Sequence, residues 1–178
     1  MHIRKPILAS ALLAVGCASF QPLGPDEALI ITTALSADWS WIGVRPERDL
    51  SILRDTDFSG WQSLDTGFMR PYDRSGVDIN FQVPEALLNL LQRANRVRAH
   101  LPAEGLPPRV QFLPAGNLKH SYISVSRPAI ADDQALVAVG LWPPDAAPVG
   151  SCSSGFLIYL ERHNGSWGVV GYGALWIT

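Results

Sequence analysis

The sequence predicts an α+β domain in which two helices precede a closing four-stranded antiparallel meander. Three observations carry this reading. Residues 155–178 form two apolar runs joined by His163-Asn164-Gly165-Ser166, and Asn-Gly supplies the two positive-φ residues of a tight type I′ hairpin turn. Two more extended runs, 122–127 and 135–142, precede that hairpin and flank a turn at Ala131-Asp132-Asp133-Gln134. Upstream lie two helical patterns, one apolar over most of its circumference and one with a single apolar stripe. Both helices are expected on one face of the meander.

At 178 residues the chain has the length of one domain, and 47% hydrophobic against 17% charged residues is a globular composition. The net charge of −2 lacks the basic excess of a nucleic-acid binder, so nucleic acid is not an expected partner.

The chain opens with a delivery segment. His2, Arg4 and Lys5 form a short basic region, and residues 6–15 are apolar. That run is too short for a bilayer, which needs roughly 20 apolar residues, but it suits the core of an export signal. It runs into Leu13-Ala14-Val15-Gly16-Cys17, which resembles the lipobox of bacterial lipoproteins, with Ala14 standing where that motif favours Leu. The resemblance implies a signal peptide over 1–16, a diacylglycerol on the Cys17 sulfur, and cleavage that leaves Cys17 as the new N-terminus. Fatty acid, palmitate for example, would then hold the chain on a membrane. Each buried methylene contributes about 0.8 kcal/mol, so one acyl chain binds marginally and two or more anchor stably. Ordinary secretion with cleavage after Ala18, and an uncleaved anchor, are the competing readings. Ala18 also lacks the Asp that resembles an inner-membrane retention signal in enteric bacteria, which favours the outer membrane of a two-membrane host. Cleavage removes Arg4 and Lys5, so 14 basic residues become 12 against 16 acidic ones, a net charge of −4. With Cys17 acylated, Cys152 is a lone thiol and no internal disulfide forms.

Residues 17–24 read as a tether; the seven from Ala18 onward span at most about 25 Å, so the single domain, 25–178, sits close to its membrane. Pro25-Asp26-Glu27 opens the first helix, since proline is tolerated in a first turn and acids suit its positive end. Ala28, Ile31, Leu35 and Trp39 share one line of this buried helix. Residues 50–53 are a short strand followed by Arg54-Asp55-Thr56-Asp57, and 59–76 reads as loop. Residues 77–83 alternate apolar and polar as a half-buried extended segment does. Pro84-Glu85 starts an amphipathic helix with Leu87, Leu90, Leu91, Ala94, Val97 and Leu101 along its stripe, expected to run on until Pro102. Residues 110–113 are a further short strand. In the hairpin, Leu160 is expected opposite Val169, Ile158 opposite Gly171, Phe156 opposite Gly173, Tyr159 opposite Val170 and Leu157 opposite Tyr172. Both faces of the hairpin are apolar, so neither can look freely into water.

The run Ala135-Leu136-Val137-Ala138-Val139, then Gly155, an aromatic-aliphatic strand to Leu160, Asn164-Gly165-Ser166-Trp167, Val169-Val170 and Trp176-Ile177 resembles a group of exported bacterial proteins with no assigned activity. The resemblance covers 135–178 closely and the chain from Leu50 loosely. It implies an exported location and a shared fold, and it carries over no catalytic residue. The Gly-x-Trp-x-Val-Val hairpin also recurs in cystatin-like α+β domains, an analogy of architecture alone.

Five constellations offer chemistry. Asp55-Thr56-Asp57 after a strand resembles the nucleophile loop of haloacid-dehalogenase-type phosphatases, but the preceding strand is short, and the reading preferred is a polar loop. Cys152 in Gly150-Ser151-Cys152-Ser153-Ser154-Gly155 needs a base and a lowered pKa to act as nucleophile, and reads as an inert loop thiol. His100, His120 and His163 lack metal-ligand spacing, so no metal is expected. Arg93, Arg96 and Arg98 read as a solvated helix face, and Trp39, Trp41, Trp61, Trp142, Trp167 and Trp176 as core, with a ligand pocket lined by two or more of them as the alternative. The functional expectation is a lipid-anchored, non-catalytic binding or interaction protein of the cell envelope without a cofactor, its partners the membrane and an envelope protein. The alternative is a domain for an apolar small molecule, with its pocket between helix 85–100 and the C-terminal sheet.

Overall fold

The computed structural model describes residues 20–42, 49–58, 70–71, 83–114, 118–144 and 153–177. The signal segment 1–16, Cys17, Cys152, most of the 59–76 stretch and residues 77–82 lie outside them. The described chain is α+β, with two helices and a mostly antiparallel sheet. Helix α1 spans Pro25–Ser36, a 3-10 turn follows at Trp39–Ile42, and helix α2 spans Glu85–Ala94. The strands are β1 (Leu50–Ile52), β2 (Arg70–Pro71), β3 (Val110–Phe112), β4 (Tyr122–Val125), β5 (Ala129–Ala131), β6 (Gln134–Trp142), β7 (Ser154–His163) and β8 (Ser166–Ile177).

The four strands expected from sequence lie side by side as β8-β7-β6-β4, all antiparallel. The sheet is larger than the four-stranded meander: β2 pairs with β8, β5 with β6, and the short strands expected at 50–53 and 110–113, β1 and β3, extend the far edge. There β1 runs parallel to both β4 and β3. Short strands of this kind carry little periodicity, and their neighbours in the sheet define them.

The closing hairpin turns at Asn164 and Gly165 with φ of 52° and 80°, the two left-handed residues a type I′ turn needs. Leu160 opposes Val169 as expected. Beyond that pair a bulge lets Val170 pass without a partner, and the register slips by one. Tyr159 therefore faces Gly171, Ile158 faces Tyr172, and Leu157 faces Gly173. The same slip sets Phe156 opposite Ala174 rather than Gly173, and a second irregularity beyond it pairs Gly155 with Trp176. The turn fixes pairing only as far as the first bulge.

The two helices take opposite faces of the sheet, where one shared face was expected. Alternate residues of β6 decide this. Ala135, Val137 and Val139 join Ile158, Leu160, Trp39 and the α1 residues Ile30, Ile31, Ala34 and Leu35 in one buried cluster. Leu136 and Ala138 join Leu157, Tyr159 and the α2 residues Leu87, Leu88 and Leu91 in another. Successive side chains of a strand point to opposite faces, so a strand apolar at every position needs cover on both. The space over β5 and β6 is thus filled by α2 side chains, and the cavities described below lie elsewhere. Within that second cluster, burial above all, helped by a hydrogen bond to Glu161, pushes the Tyr159 phenol up to about 12.

Helix α2 stops at Ala94, seven residues before the end its stripe suggested. Asn95 takes the C-cap, its Nδ2 donating to Leu91 O at 2.8 Å and to Arg127 O at 2.9 Å. Its Oδ1 accepts the Arg127 N–H at 2.7 Å. The Arg127 guanidinium in turn donates to both carboxylate oxygens of Glu27 in α1, at 3.0 and 2.8 Å. Glu27 also accepts the Gly24 N–H, half of a capping box. One chain of hydrogen bonds thus ties the end of α2 to the start of α1 around the β4–β5 connection. At the other end of α1, Arg109 Nη2 donates to Leu35 O and Ala37 O, a cation at the negative helix end.

Arg127 is 9% exposed, so removing its partner strands a buried charge. Glu27→Ala is expected to cost about 3–5 kcal/mol, read as a lower urea midpoint, with Glu27→Gln losing less.

Candidate functional site

Two surface regions gather the polar and aromatic side chains with chemical potential. The first is an edge built from residues 54–57, 98–101 and Phe20. The segment Asp55-Thr56-Asp57 follows the end of β1 as a polar connection, as expected, but it makes one isolated bridge at Asp55 and has backbone partners on both sides. On one side Leu53 N donates to Ile123 O and Asp57 N to Val125 O, each at 2.9 Å. On the other, Thr56 N donates to Ala99 O at 2.8 Å and Leu101 N to Arg54 O at 2.8 Å. The buried Thr56 hydroxyl closes the seam by accepting the Ala99 N–H at 2.8 Å.

That zipper sets two acid–base pairs along the edge. Asp55 Oδ1 meets His100 Nδ1 at 2.5 Å across an isolated antiparallel bridge. Arg98 Nη2 reaches Asp57 Oδ1 at 3.3 Å. His100 stacks on Phe20 with centroids 4.5 Å apart and rings 8° from parallel. Phe20 itself bridges Arg98 in parallel, and Gln21 N donates to Arg98 O at 3.0 Å. The tether expected over 17–24 is therefore already part of the fold at Phe20. Beside it opens a groove of about 490 Å³ lined by Phe20, Leu23, Ala28, His100, Leu101 and Pro102, among others.

The second region is a cleft of about 240 Å³ at the end of the sheet where β1, β4, β6 and β7 meet. Tyr122 and Trp142 stand on its wall as a stacked pair with centroids 6.5 Å apart, with Asp49, Ser51, Ser121 and Ser154 around them. Trp142 Nε1 donates to Ser124 Oγ at 2.8 Å. Gly140 makes this possible: a Cβ there would sit 2.6 Å from Trp142 Nε1 and 2.7 Å from Ser124 Oγ.

The remaining sequence candidates disperse. His163 pairs with Glu161 at the hairpin tip, at 3.2 Å, and His120 is exposed before β4. Among the described residues no group of three or more His, Cys, Asp or Glu is placed to hold a metal ion. Arg93 donates to Asn89 O on α2, whereas Arg98 belongs to the edge and pairs with Asp57, so the three arginines share no helix face. Trp39 is core, its Nε1 donating to Ala34 O at 3.1 Å, and Trp167 is buried beneath the Arg162 guanidinium, 4.9 Å from the ring centre. Trp61 and the side chains of Trp41 and Trp176 lie outside the described residues, as Cys17 and Cys152 do.

Sequence reasoning passed over Phe20 and the Asp55–His100 pairing. The signal was present at 98–101, where exposed and buried residues alternate with period 2. It was masked because Val97 and Leu101 also continue the helical stripe of α2. No helix among the described residues is long and apolar enough to cross a membrane. No family model, curated protein or solved structure matches this chain.

Both ion pairs at the edge are partly solvated, whereas the Thr56 seam is buried. Asp55→Asn is therefore expected to cost less than about 1 kcal/mol. Thr56→Val orphans the Ala99 N–H and is expected to cost about 1–3 kcal/mol, with chemical denaturation of both variants as the measurement.

Proposed function

We propose that this chain is an exported, lipid-anchored binding module of the cell envelope that carries out no catalysis. The observation that supports it most is the junction between delivery segment and fold: Phe20, the first described residue and three past the lipobox-like Cys17, already pairs with the domain. A chain meant to stand away from its membrane would carry a longer spacer. The acid–base pairs at the edge favour a structural role as well. Asp55 and Asp57 each face a basic partner from the 98–101 segment, and their backbone is fixed on both sides. The resemblance over 135–178 fits the same location, with the β4-β6-β7-β8 meander as the part that corresponds to the cystatin-like analogy. In a two-membrane host the Ala18 position favours the outer membrane.

Growth with a clickable fatty acid tests the anchor. Wild-type protein is expected to take up label and sediment with membranes, and Cys17→Ser to do neither; equal label in both ends the lipoprotein reading.

A second reading is favoured by the Tyr122–Trp142 cleft. An apolar small molecule fits there, on an aromatic wall with serine hydroxyls at hand, better than between α2 and the sheet. An anilinonaphthalene dye is expected to fluoresce with the wild-type chain and much less with Trp142→Ala. Equal fluorescence removes this reading.

A further inference from the structure

We propose that the groove beside Phe20 is the face on which the domain rests against the phospholipid bilayer that holds its anchor. This builds on the anchor reading and adds which side of the domain meets the membrane.

Phe20 and Leu29, 43% and 48% exposed, are the large apolar side chains left standing in water among the described residues. Phe20 lines the groove together with Ala28, and Leu29 is the next residue of α1, about 100° further round the helix on its adjoining surface. A single exposed apolar residue is ordinary, but Phe20 is joined along the groove by Leu23, Ala28, Leu101 and Pro102, which makes a contiguous apolar face.

Covalent geometry then names the occupant. Three Cα–Cα steps separate Cys17 from Phe20, so their Cα atoms lie within about 11 Å of each other. A diacylglycerol on Cys17 brings its first residue to the headgroup level, and Phe20 cannot be far above it. Apolar faces of interfacial elements sink about 5–10 Å into that zone, a depth that accepts an aromatic ring and a leucine side chain.

Charge narrows the chemistry further. Arg98 pairs with Asp57 and His100 with Asp55, so these four side chains leave no unopposed run of positive charge beside Phe20. The contact is apolar in character, so a zwitterionic bilayer serves as partner without help from anionic lipid. A polybasic surface would instead draw on anionic lipid.

The test uses the full chain processed in cells and reconstituted in phosphatidylcholine vesicles, with a photoreactive phenylalanine analogue placed singly at Phe20, Leu29 or His120. His120 is an exposed control that precedes β4. Lipid adducts on the order of ten-fold more abundant at 20 and 29 than at 120 are expected for insertion to interfacial depth, with no dependence on added phosphatidylglycerol. Equal adducts at all three positions, or cross-links from 20 and 29 to protein instead of lipid, overturn the proposal. The mass of the Cys17 peptide is read on the same samples. An acylated Cys17 without lipid adducts at 20 and 29 sinks the face alone, whereas an unacylated Cys17 sinks the anchor and the face together.

Discussion

The architecture depends on β6 and β7 being apolar on both faces. From Ala135 to Val139 and from Phe156 to Leu160 every side chain is buried. A strand of this composition is costly wherever it meets water, and at about 25 cal/mol per Å² of apolar surface neither face can be left open. One helix cannot cover two faces. The chain therefore supplies a helix from each side, and the connections that deliver them account for the extra strands at the far edge.

Holding two layers on opposite sides of a sheet requires something that reaches around it. The hydrogen-bond chain from Asn95 through Arg127 to Glu27 serves that purpose, and it also explains where α2 ends. Asn95 is occupied by the Arg127 backbone, so the chain leaves the helix there and runs extended along residues 54–57. Arg162 makes a second tie. Its guanidinium meets Asp133 at 2.9 Å and Asp26 at 3.1 Å and lies over Trp167, and the Asp133 hydrogen bond leads in pushing it still further toward its charged form. Polar groups that bridge layers in this way set the relative placement of elements that apolar burial leaves free to slide.

The same zipper decides the character of the edge. Asp55 and Asp57 look like a reactive loop when only the order of residues is considered. In the fold Asp55 makes an isolated bridge to His100 and Asp57 N donates to Val125 O, with Thr56 buried between them and a basic side chain facing each acid. The aromatic at the start of the domain lies on this edge as well, so the entry point of the chain and the exposed apolar groove coincide. The cleft at Tyr122 and Trp142 lies at the start of β4, and Asp57 bonds to the end of that strand at Val125, so the two surfaces are separate.

Local rules were enough to make the class α+β, the Asn164-Gly165 turn, the order of the four meander strands and the starts of both helices legible in the residues. Each rests on contacts between near neighbours: a positive φ that glycine and asparagine tolerate, an alternation of period 2, a proline and acids in a first turn. Two-sided burial of the hairpin was legible too, although the reading placed both helices on one face. Other features needed the folded chain. The bulge at Val170 moves the register because a sheet can absorb one residue without changing the turn. The end of α2 is set by Arg127, 32 residues further on. The strand-like state of 54–57 comes from hydrogen bonds to segments more than 40 positions away. Periodicity reports which side chains avoid water, but it cannot report which distant backbone will satisfy a given N–H, and that choice placed the edge, the groove and the cleft.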